Sequence, residues 1–576
     1  MVALEAPLAA RRVGLLRRWG VSPAQLALAV LIVAFLTAFL IVPVSRVMVA
    51  AFEGPTGFTL VHFGDFFRTS LFLESFFNSL YVAVGAVVLA SLLAVPCAYF
   101  LARFDFKGAG LIQALGVVPL VMPPFVGAVA MQLIFGRNGT VNLLLNDWFG
   151  FRIPFMEGLN GVIFVEALHY FPFILLNLSA SLANIDSSME ESAQNLGARG
   201  WTLFRRIVFP LAMPGYVAGA ALVFVKVFDD LGTPLLLSQT NLLAPQAYLR
   251  ITSVGLNDPM GYVISAILVA FSLMAMAASG LITRGRDYAT QQRGGGGLAR
   301  RPLVGWRKTV AWSFIILVVV LSLSPHVGIL LLSFATVWSF SPLPDAFTIK
   351  HYATVFADSA HMMGNTLLYC GLAATIDVVL GVSIAYLVAR TRLPGRRLLD
   401  GLVMASLAVP GLVLGIGILR TYYGVELPGG VPLATFWGML VIGYAIRRLP
   451  YALRACDAAL KQVHESLEEA AENLGAGKLT ALRRIVVPLI TGGMLAGFVT
   501  SFATAAVELS ETLLLVTRDV DAPISYGIYV YMQSPAGRGP GAALGVIAVI
   551  VVALGAWFSH RIAERERLRR GRGGTA

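Results

Sequence analysis

Two stretches of this 576-residue chain carry the same pattern of acids, small residues and glycine. The first reads Glu190-Glu191-Ser192-Ala193-Gln194-Asn195-Leu196-Gly197, followed by Arg205-Arg206-Ile207-Val208-Phe209-Pro210. The second reads Glu468-Glu469-Ala470-Ala471-Glu472-Asn473-Leu474-Gly475, followed by Arg483-Arg484-Ile485-Val486-Val487-Pro488. Neither copy is accompanied by a nucleophile–base pair or by metal-ligand spacing, so the chemistry on offer is recognition rather than catalysis. An acid with small residues favours a short helix, which the glycine then ends. Such a helix, laid across a surface, seats in a groove of another protein. Arg205, Arg206, Arg483 and Arg484 can pair with acids of that partner or with lipid phosphates, and Pro210 and Pro488 mark the entry to the next apolar run.

A second group of residues sits where charge is expensive. The apolar run after each motif begins with Gly215-xxx-Gly219 or Gly493-xxx-Gly497, a spacing that lets helices approach closely. The same runs end in acids. One copy has Asp229 and Asp230 before Gly232-Thr-Pro234; the other has Glu508, Ser510 and Glu511, with Asp230 aligned on Glu508. Acids at membrane depth face a water-filled cavity or a partner. Two readings stay open: a set of acids that guides a cation or chelate or meets a delivering protein, or acids that cap helices or pair with Arg447 and Arg448. That arginine pair, just before Pro450, either lines a cavity for an anionic group or marks where its run leaves the membrane, and the second is expected. Cys97, Cys370 and Cys456 form no CxxC or Cys/His cluster, so neither a zinc site nor a disulfide framework is indicated. Gly475-Ala-Gly477-Lys478-Leu-Thr is only a fragment of a phosphate loop: Glu472 stands at the first glycine position and Leu479 replaces the magnesium-holding Ser/Thr. No catalytic and no metal-binding residue is expected.

These residues need a membrane to position them. Of the chain, 57% is hydrophobic and 13% charged, with a mean hydropathy of +0.78; soluble domains are about one quarter charged. Apolar runs of about 20 residues, enough to span a bilayer, fall near 26–50, 78–102, 110–135, 160–183, 213–231 and 260–283. Six more fall near 309–335, 365–389, 398–419, 432–453, 491–507 and 540–560. The first run follows Arg11, Arg12, Arg17 and Arg18 and is long enough to be a retained span rather than a signal peptide. Between the sets lies a basic, glycine-containing linker at 284–308, read as a cytoplasmic tether. The net charge of +12 does not point to nucleic acid, because the arginines cluster beside apolar runs as cytoplasmic anchors do. Placing both termini in the cytoplasm puts most of the 43 lysines and arginines there.

The two sets repeat one another in the same orientation. Asn78-Ser-Leu aligns with Asn365-Thr-Leu, Ala98-Tyr99 with Ala385-Tyr386, Arg103 with Arg390 and Pro123 with Pro410, all at an offset of 287. Pro172 then matches Pro450, and Glu190 to Leu211 matches Glu468 to Leu489, at an offset of 278. Parallel repeats of this kind build a path about a pseudo-two-fold axis. The expected architecture is an all-α polytopic membrane protein of two tandem six-helix halves and about twelve transmembrane helices. The first half is 1–283, with its motif loop at 185–212; the second is 309–576, with its loop at 463–490.

The duplicated segment resembles the EAA loop of ABC-importer permeases: Glu-Ala-Ala, three residues, Gly, nine residues, then Ile-x-Leu-Pro. Every spacing fits in both copies, with Ser192 for the first Ala and Phe209 and Val487 for the Leu. The fused form, with Arg448-Leu-Pro-Tyr and Glu508-Leu-Ser-Glu-Thr-Leu-Leu-Leu, is similar to the ferric-iron importer permease group. The resemblance implies a type I importer fold in the bacterial inner membrane. It implies coupling to two copies of a separate ATPase subunit, which carry the ATP and magnesium, through Glu191, Ala193, Gly197, Glu469, Ala470, Ala471, Gly475 and the four loop arginines. It also implies a periplasmic or lipid-anchored substrate-binding protein, no cofactor on this chain, and a translocation path holding Asp229, Asp230, Glu508, Ser510, Glu511, Arg447 and Arg448. Ferric iron is the first expectation for cargo; importers of phosphonate, sugar phosphate, thiamine and polyamines are similar. An ion-driven secondary transporter would instead need carboxylates central in its spans and no coupling loop.

Overall fold

The computed structural model describes residues 21–55, 57–116, 118–284 and 301–573, so most of the expected linker lies outside the described residues. The main helices, numbered for this chain, are α1 (Pro23–Ala51), α2 (Ser70–Arg103), α3 (Pro124–Phe135), α4 (Gly158–Ala183), α5 (Ser187–Asn195), α6 (Gly200–Phe228) and α7 (Pro259–Arg284). The second half supplies α8 (Trp306–Phe334), α9 (Ala360–Arg390), α10 (Arg396–Ala405), α11 (Gly411–Tyr422), α12 (Trp437–Leu460), α13 (Ser466–Asn473), α14 (Lys478–Ala506), α15 (Ile524–Met532) and α16 (Arg538–Gly573).

Among the described residues nine helices are long and apolar enough to cross a membrane, or up to eleven if each of two bent pairs counts as one span. The bent pairs, with angles of 103° and 104°, are the runs expected near 110–135 and 398–419. Their cause is visible in the sequence. Pro123 and Pro410 sit at the two breaks with ψ of 138° and 140°, outside the helical region, and each heads the helix that follows. Proline supplies no N–H and crowds the preceding turn, so a run that reads as one apolar stretch becomes two segments at a sharp angle. The remaining expected run, α12, is long enough but carries Arg447, Arg448 and Arg454.

A different proline effect shapes α6 and α14. Each continues unbroken from the cytoplasm-assigned loop into the apolar run, past Pro210 or Pro488, and in each the turn just before the proline opens into a π-turn, Phe204–Val208 or Leu482–Val486. The wider i→i+5 pattern accommodates the ring and its missing donor. The helices therefore start at Gly200 and Lys478, and the four loop arginines ride on the π-turns themselves.

The chain forms two compact bodies that differ from the two sequence halves. One contains the described residues of Met1–Val49 with Ala360–Tyr526 and those of Ala548–Ala576; the other contains Ala50–Ser359 and Gly527–Ile547. In the first body α1 packs into the second repeat: Ala29, Ile32 and Leu36 join Val382, Ala385, Leu449, Leu453, Val486 and Ile490 in one core, and Tyr422 donates to the Ala38 carbonyl at 2.7 Å. In the other body the second repeat's first span, α8, lies on α3, where a Cβ added at Gly127 would stand 3.3 Å from Pro325 and Ser324 donates to the Met131 sulfur at 3.4 Å. Each repeat is completed by the leading span of the other.

The paired GxxxG segments seal α6 on α4 and α14 on α12. A Cβ at Gly219 would come to 2.7 Å from the Ile174 Cα, and one at Gly493 to 2.5 Å from the Ala459 Cβ and 2.8 Å from the Ala455 carbonyl. Gly492, next in sequence, has nothing within 4 Å. Gly493→Ala should therefore lower the thermal midpoint of the purified protein, since overpacking costs about 1–3 kcal/mol. Gly492→Ala should leave it unchanged or raise it, by up to about 1 kcal/mol of helix propensity.

Candidate functional site

Both EAA-type loops are built alike. In α5 and α13 the helix ends on Gly197 or Gly475, whose φ angles of 89° and 88° lie in the left-handed region that only glycine enters freely. The Gly197 N–H bonds the Gln194 carbonyl and the Ala198 N–H bonds the Ala193 carbonyl, both at 2.9 Å; Gly475 to Glu472 and Ala476 to Ala471 repeat the pattern at 2.9 Å. These paired bonds satisfy the last carbonyls and turn the chain sharply. At the start of α5 the Asp186 carboxylate accepts the Ser188 N–H at 2.9 Å, as an N-cap does.

One acid fixes each helix to the rest of its body. Glu190 is buried and pairs with Arg103, the last residue of α2. Glu468, the only residue buried within α13, accepts from Arg390 Nε at 2.8 Å and from the Tyr386 hydroxyl at 3.0 Å. Arg390, the last residue of α9, also donates to Glu465 at 3.1 Å and to the Val463 carbonyl at 2.6 Å. Breaking such a buried pair costs about 3–5 kcal/mol. Each loop helix therefore has one charged attachment to its body, whose loss leaves a buried charge uncompensated.

The rest of each loop faces outward. Glu191, Glu469 and Ala470 are exposed, Ala193 is buried and Ala471 half-buried. Leu196 and Leu474, just before the glycines, are each 90% exposed, and Trp201 and Leu479 at matched positions are 70% and 73% exposed. Arg205, Arg206, Arg483 and Arg484 are exposed beside them. Exposed apolar side chains on the same loop as exposed arginines suit a recognition surface. Sequence reasoning singled out Glu191 and Glu469 but not Glu190 and Glu468; the signal was the pair of aligned arginines, Arg103 and Arg390, read only as a sign of repetition. Glu468→Ala should make the 463–490 loop markedly more sensitive to limited proteolysis, whereas Glu469→Ala should leave it within about 0.5 kcal/mol of the parent.

The charged residues of the spans are placed body by body. Arg447 and Arg448 both pair with Glu508, Arg447 Nη1 at 3.0 Å from Oε2, and Arg448 also donates to the Thr504 carbonyl at 2.9 Å. Both arginines are buried inside α12, which runs on past Pro450 to Leu460. The shared carboxylate of Glu508 neutralises both, which is the open reading in which the acids pair with Arg447 and Arg448. Tyr444 and Thr512 hydroxyls bond at 2.6 Å beside them, Ser510 is buried, and Glu511 is fully buried with no hydrogen bond to its carboxylate among the described residues. Asp377 on α9 is likewise fully buried, electrostatically coupled to Arg448. In the other body Asp230 accepts the Thr233 N–H at 2.9 Å and so caps the short helix Gly232–Leu236, while Asp229 is buried and Glu166 of α4 lies fully buried against Asp230. Asp377 and Glu166 were missed although each is a lone acid inside an apolar run. Glu508→Gln, which leaves two guanidinium groups facing a neutral amide, should cost about 3–5 kcal/mol and lower the thermal midpoint more than Ser510→Ala.

The chain thus combines many candidate membrane helices with a duplicated, outward-facing short helix. Residues 94–329 and 378–568 match the family described as binding-protein-dependent transport system inner membrane component. The chain belongs to that family, with its repeat present twice: a fused, two-half permease of the ABC-importer type. The ferric transport system permease protein FbpB of Actinobacillus pleuropneumoniae is 28% identical over 460 residues, covering 78% of this chain and 65% of that protein. The putative ferric transport system permease protein FbpB 1 of Haemophilus influenzae is 27% identical over 489 residues, 84% of this chain and 76% of that protein. The molybdenum transport system permease protein ModB of Haemophilus influenzae is 36% identical over 157 residues, 27% of this chain and 68% of that protein. A crystal structure of a bacterial ABC transporter involved in the import of the acidic polysaccharide alginate covers 48% of this chain and 99% of its own at 17% identity, with a TM-score of 0.39 that is too low to bear on the fold.

Proposed function

We propose that the chain is the membrane subunit of an ATP-driven importer of ferric iron, with each EAA-type loop seated in one of two copies of a separate ATPase subunit. ATP and magnesium belong to those subunits. The observation that carries this reading is the duplicated helix of the 185–212 and 463–490 loops, held from behind by one ion pair and presenting Leu196 or Leu474 at 90% exposure. The contact surface on this reading includes Glu191, Ala193, Gly197, Glu469, Ala470, Ala471 and Gly475, with the four π-turn arginines at its edge. The excess of Lys and Arg on the loop side supports an inner-membrane orientation with both termini cytoplasmic. A periplasmic or lipid-anchored binding protein then delivers cargo at the opposite face.

Ferric iron is favoured because the two relatives that cover most of this chain are ferric transport permeases. Asp229, Asp230, Glu508, Ser510, Glu511, Arg447 and Arg448 lie at or beside the far ends of α6 and α14 and form the translocation path on this reading. Asp230 is matched in place by the Thr233 N–H and Glu508 by the two arginines, so a passing cation competes there with contacts already made.

Leu196→Asp together with Leu474→Asp should abolish co-purification of the ATPase subunit and ATP-driven uptake, because each leucine contributes about 1.5–3 kcal/mol when its side chain is buried by a partner. Intact assembly and uptake in the double variant would contradict the assignment. Uptake of radioactive ferric iron into proteoliposomes holding the full complex and its binding protein tests the cargo; selective uptake of molybdate instead would overturn it.

A further inference from the structure

The Asn78-Ser79 and Asn365-Thr366 dipeptides, matched between the repeats, find no role in the loops or in the charged clusters. Both lie near the starts of α2 and α9, the helices whose last residues are Arg103 and Arg390. In one body Asn78 Nδ2 donates to the Asn241 carbonyl at 3.0 Å, and the buried Ser79 hydroxyl accepts the Leu243 N–H at 2.9 Å. In the other, Asn365 Nδ2 donates to the Val520 and Ala522 carbonyls at 2.8 and 3.0 Å, and the buried Thr366 hydroxyl accepts the Ile524 N–H at 2.8 Å. Leu243 and Ile524 are the first residues of their helices. Each hydroxyl therefore supplies from another element the cap that a helix N-terminus lacks, just downstream of the segment carrying Asp230 or Glu508.

The same helix is thus fastened at both ends by side chains. At one end Arg103 or Arg390 holds the loop helix; at the other an Asn and a hydroxyl hold the chain beyond the acids. The interval from Asn78 to Arg103 equals that from Asn365 to Arg390, about 37 Å at about 1.5 Å per residue. Two bodies of different surroundings keep the same length and the same three attachment types.

We propose that α2 and α9 are connecting rods: each transmits displacement of its EAA-type loop, through the Arg–Glu pair at one end, to the chain that follows the intramembrane acids, through the Asn and Ser/Thr bonds at the other. Asn78, Ser79, Asn365 and Thr366 are positioning residues on this account, since they act through the segment they hold. The proposal rests on the ATPase-docking reading for its driving force. The second rod is the cleaner test, because α2 contains Pro96 where α9 has Ser383.

The experiment uses the assembled permease–ATPase complex in nanodiscs with a cysteine at Val520→Cys, a side chain 60% exposed beside the Asn365 contact. The labelling rate of this cysteine by a thiol reagent is compared without nucleotide and after trapping with ATP, magnesium and vanadate; the native cysteines are buried. Trapping should change the rate about tenfold, within the usual range of site-to-site coupling. Thr366→Val with Asn365→Ala should abolish the change while the ATPase still co-purifies, and Thr366→Ser alone should preserve it. Arg390→Glu should abolish it, and Arg390→Glu with Glu468→Arg should restore it. An undiminished response in Thr366→Val with Asn365→Ala, or in Arg390→Glu, overturns the rod. Failure of the unaltered chain to co-purify with the ATPase overturns the docking reading, and with it the rod's driver, and is scored before any labelling.

Discussion

A buried charge must find a partner or leave the interior, and that constraint organises this molecule at two levels. Glu190 and Glu468 could have remained solvated on a polar loop; instead each turns inward to an arginine at the end of a long helix. With the acids turned inward, Leu196 and Leu474, the residues that close the helices, stay exposed. The exposed apolar tip, the glycine cap that ends the helix and the entry into α6 or α14 all take their positions from that pair.

Prolines set the second level. Pro123 and Pro410 break their apolar runs into segments at about a right angle, while Pro210 and Pro488 are absorbed by π-turns and leave their helices continuous. The difference lies in the backbone available just before the ring. A turn that opens to i→i+5 bonding accommodates proline, and a tight 3₁₀ turn followed by extended backbone does not. Continuity through Pro210 and Pro488 makes the part of each EAA-type loop after the glycine turn one helix with a span sealed by close glycine contacts. The loop helix therefore has two routes into its body, one covalent through α6 or α14 and one electrostatic through α2 or α9.

Much of this was legible in residue type and spacing. The repeat, the twelve apolar runs and the glycine caps follow from patterns that hold whatever the tertiary structure does. Three features were not legible. The bends depend on proline in a context that a hydropathy count averages away. The pairing of each repeat with the other's leading span leaves no periodic trace, since α1 and α8 are apolar on most sides. Pairing of an acid with Arg447 and Arg448 was one of two readings open in the sequence, but which acid was not legible, because Glu508 lies 60 residues from Arg448 and only the fold brings it there. The same blindness hid Glu190 and Glu468, whose aligned partners were in view but had no distance attached.

The central claim is that the two EAA-type loops are the surface on which the ATPase subunits sit, with the ion pairs behind them as the anchor. Hydrogen–deuterium exchange on the chain alone and in complex with its ATPase tests this most directly, because it reads every backbone segment at once. The account predicts new protection concentrated in 185–212 and 463–490, at least as strong over Leu196–Gly197 and Leu474–Gly475 as anywhere else on that face. A complex that forms while both loops exchange as freely as before would contradict it.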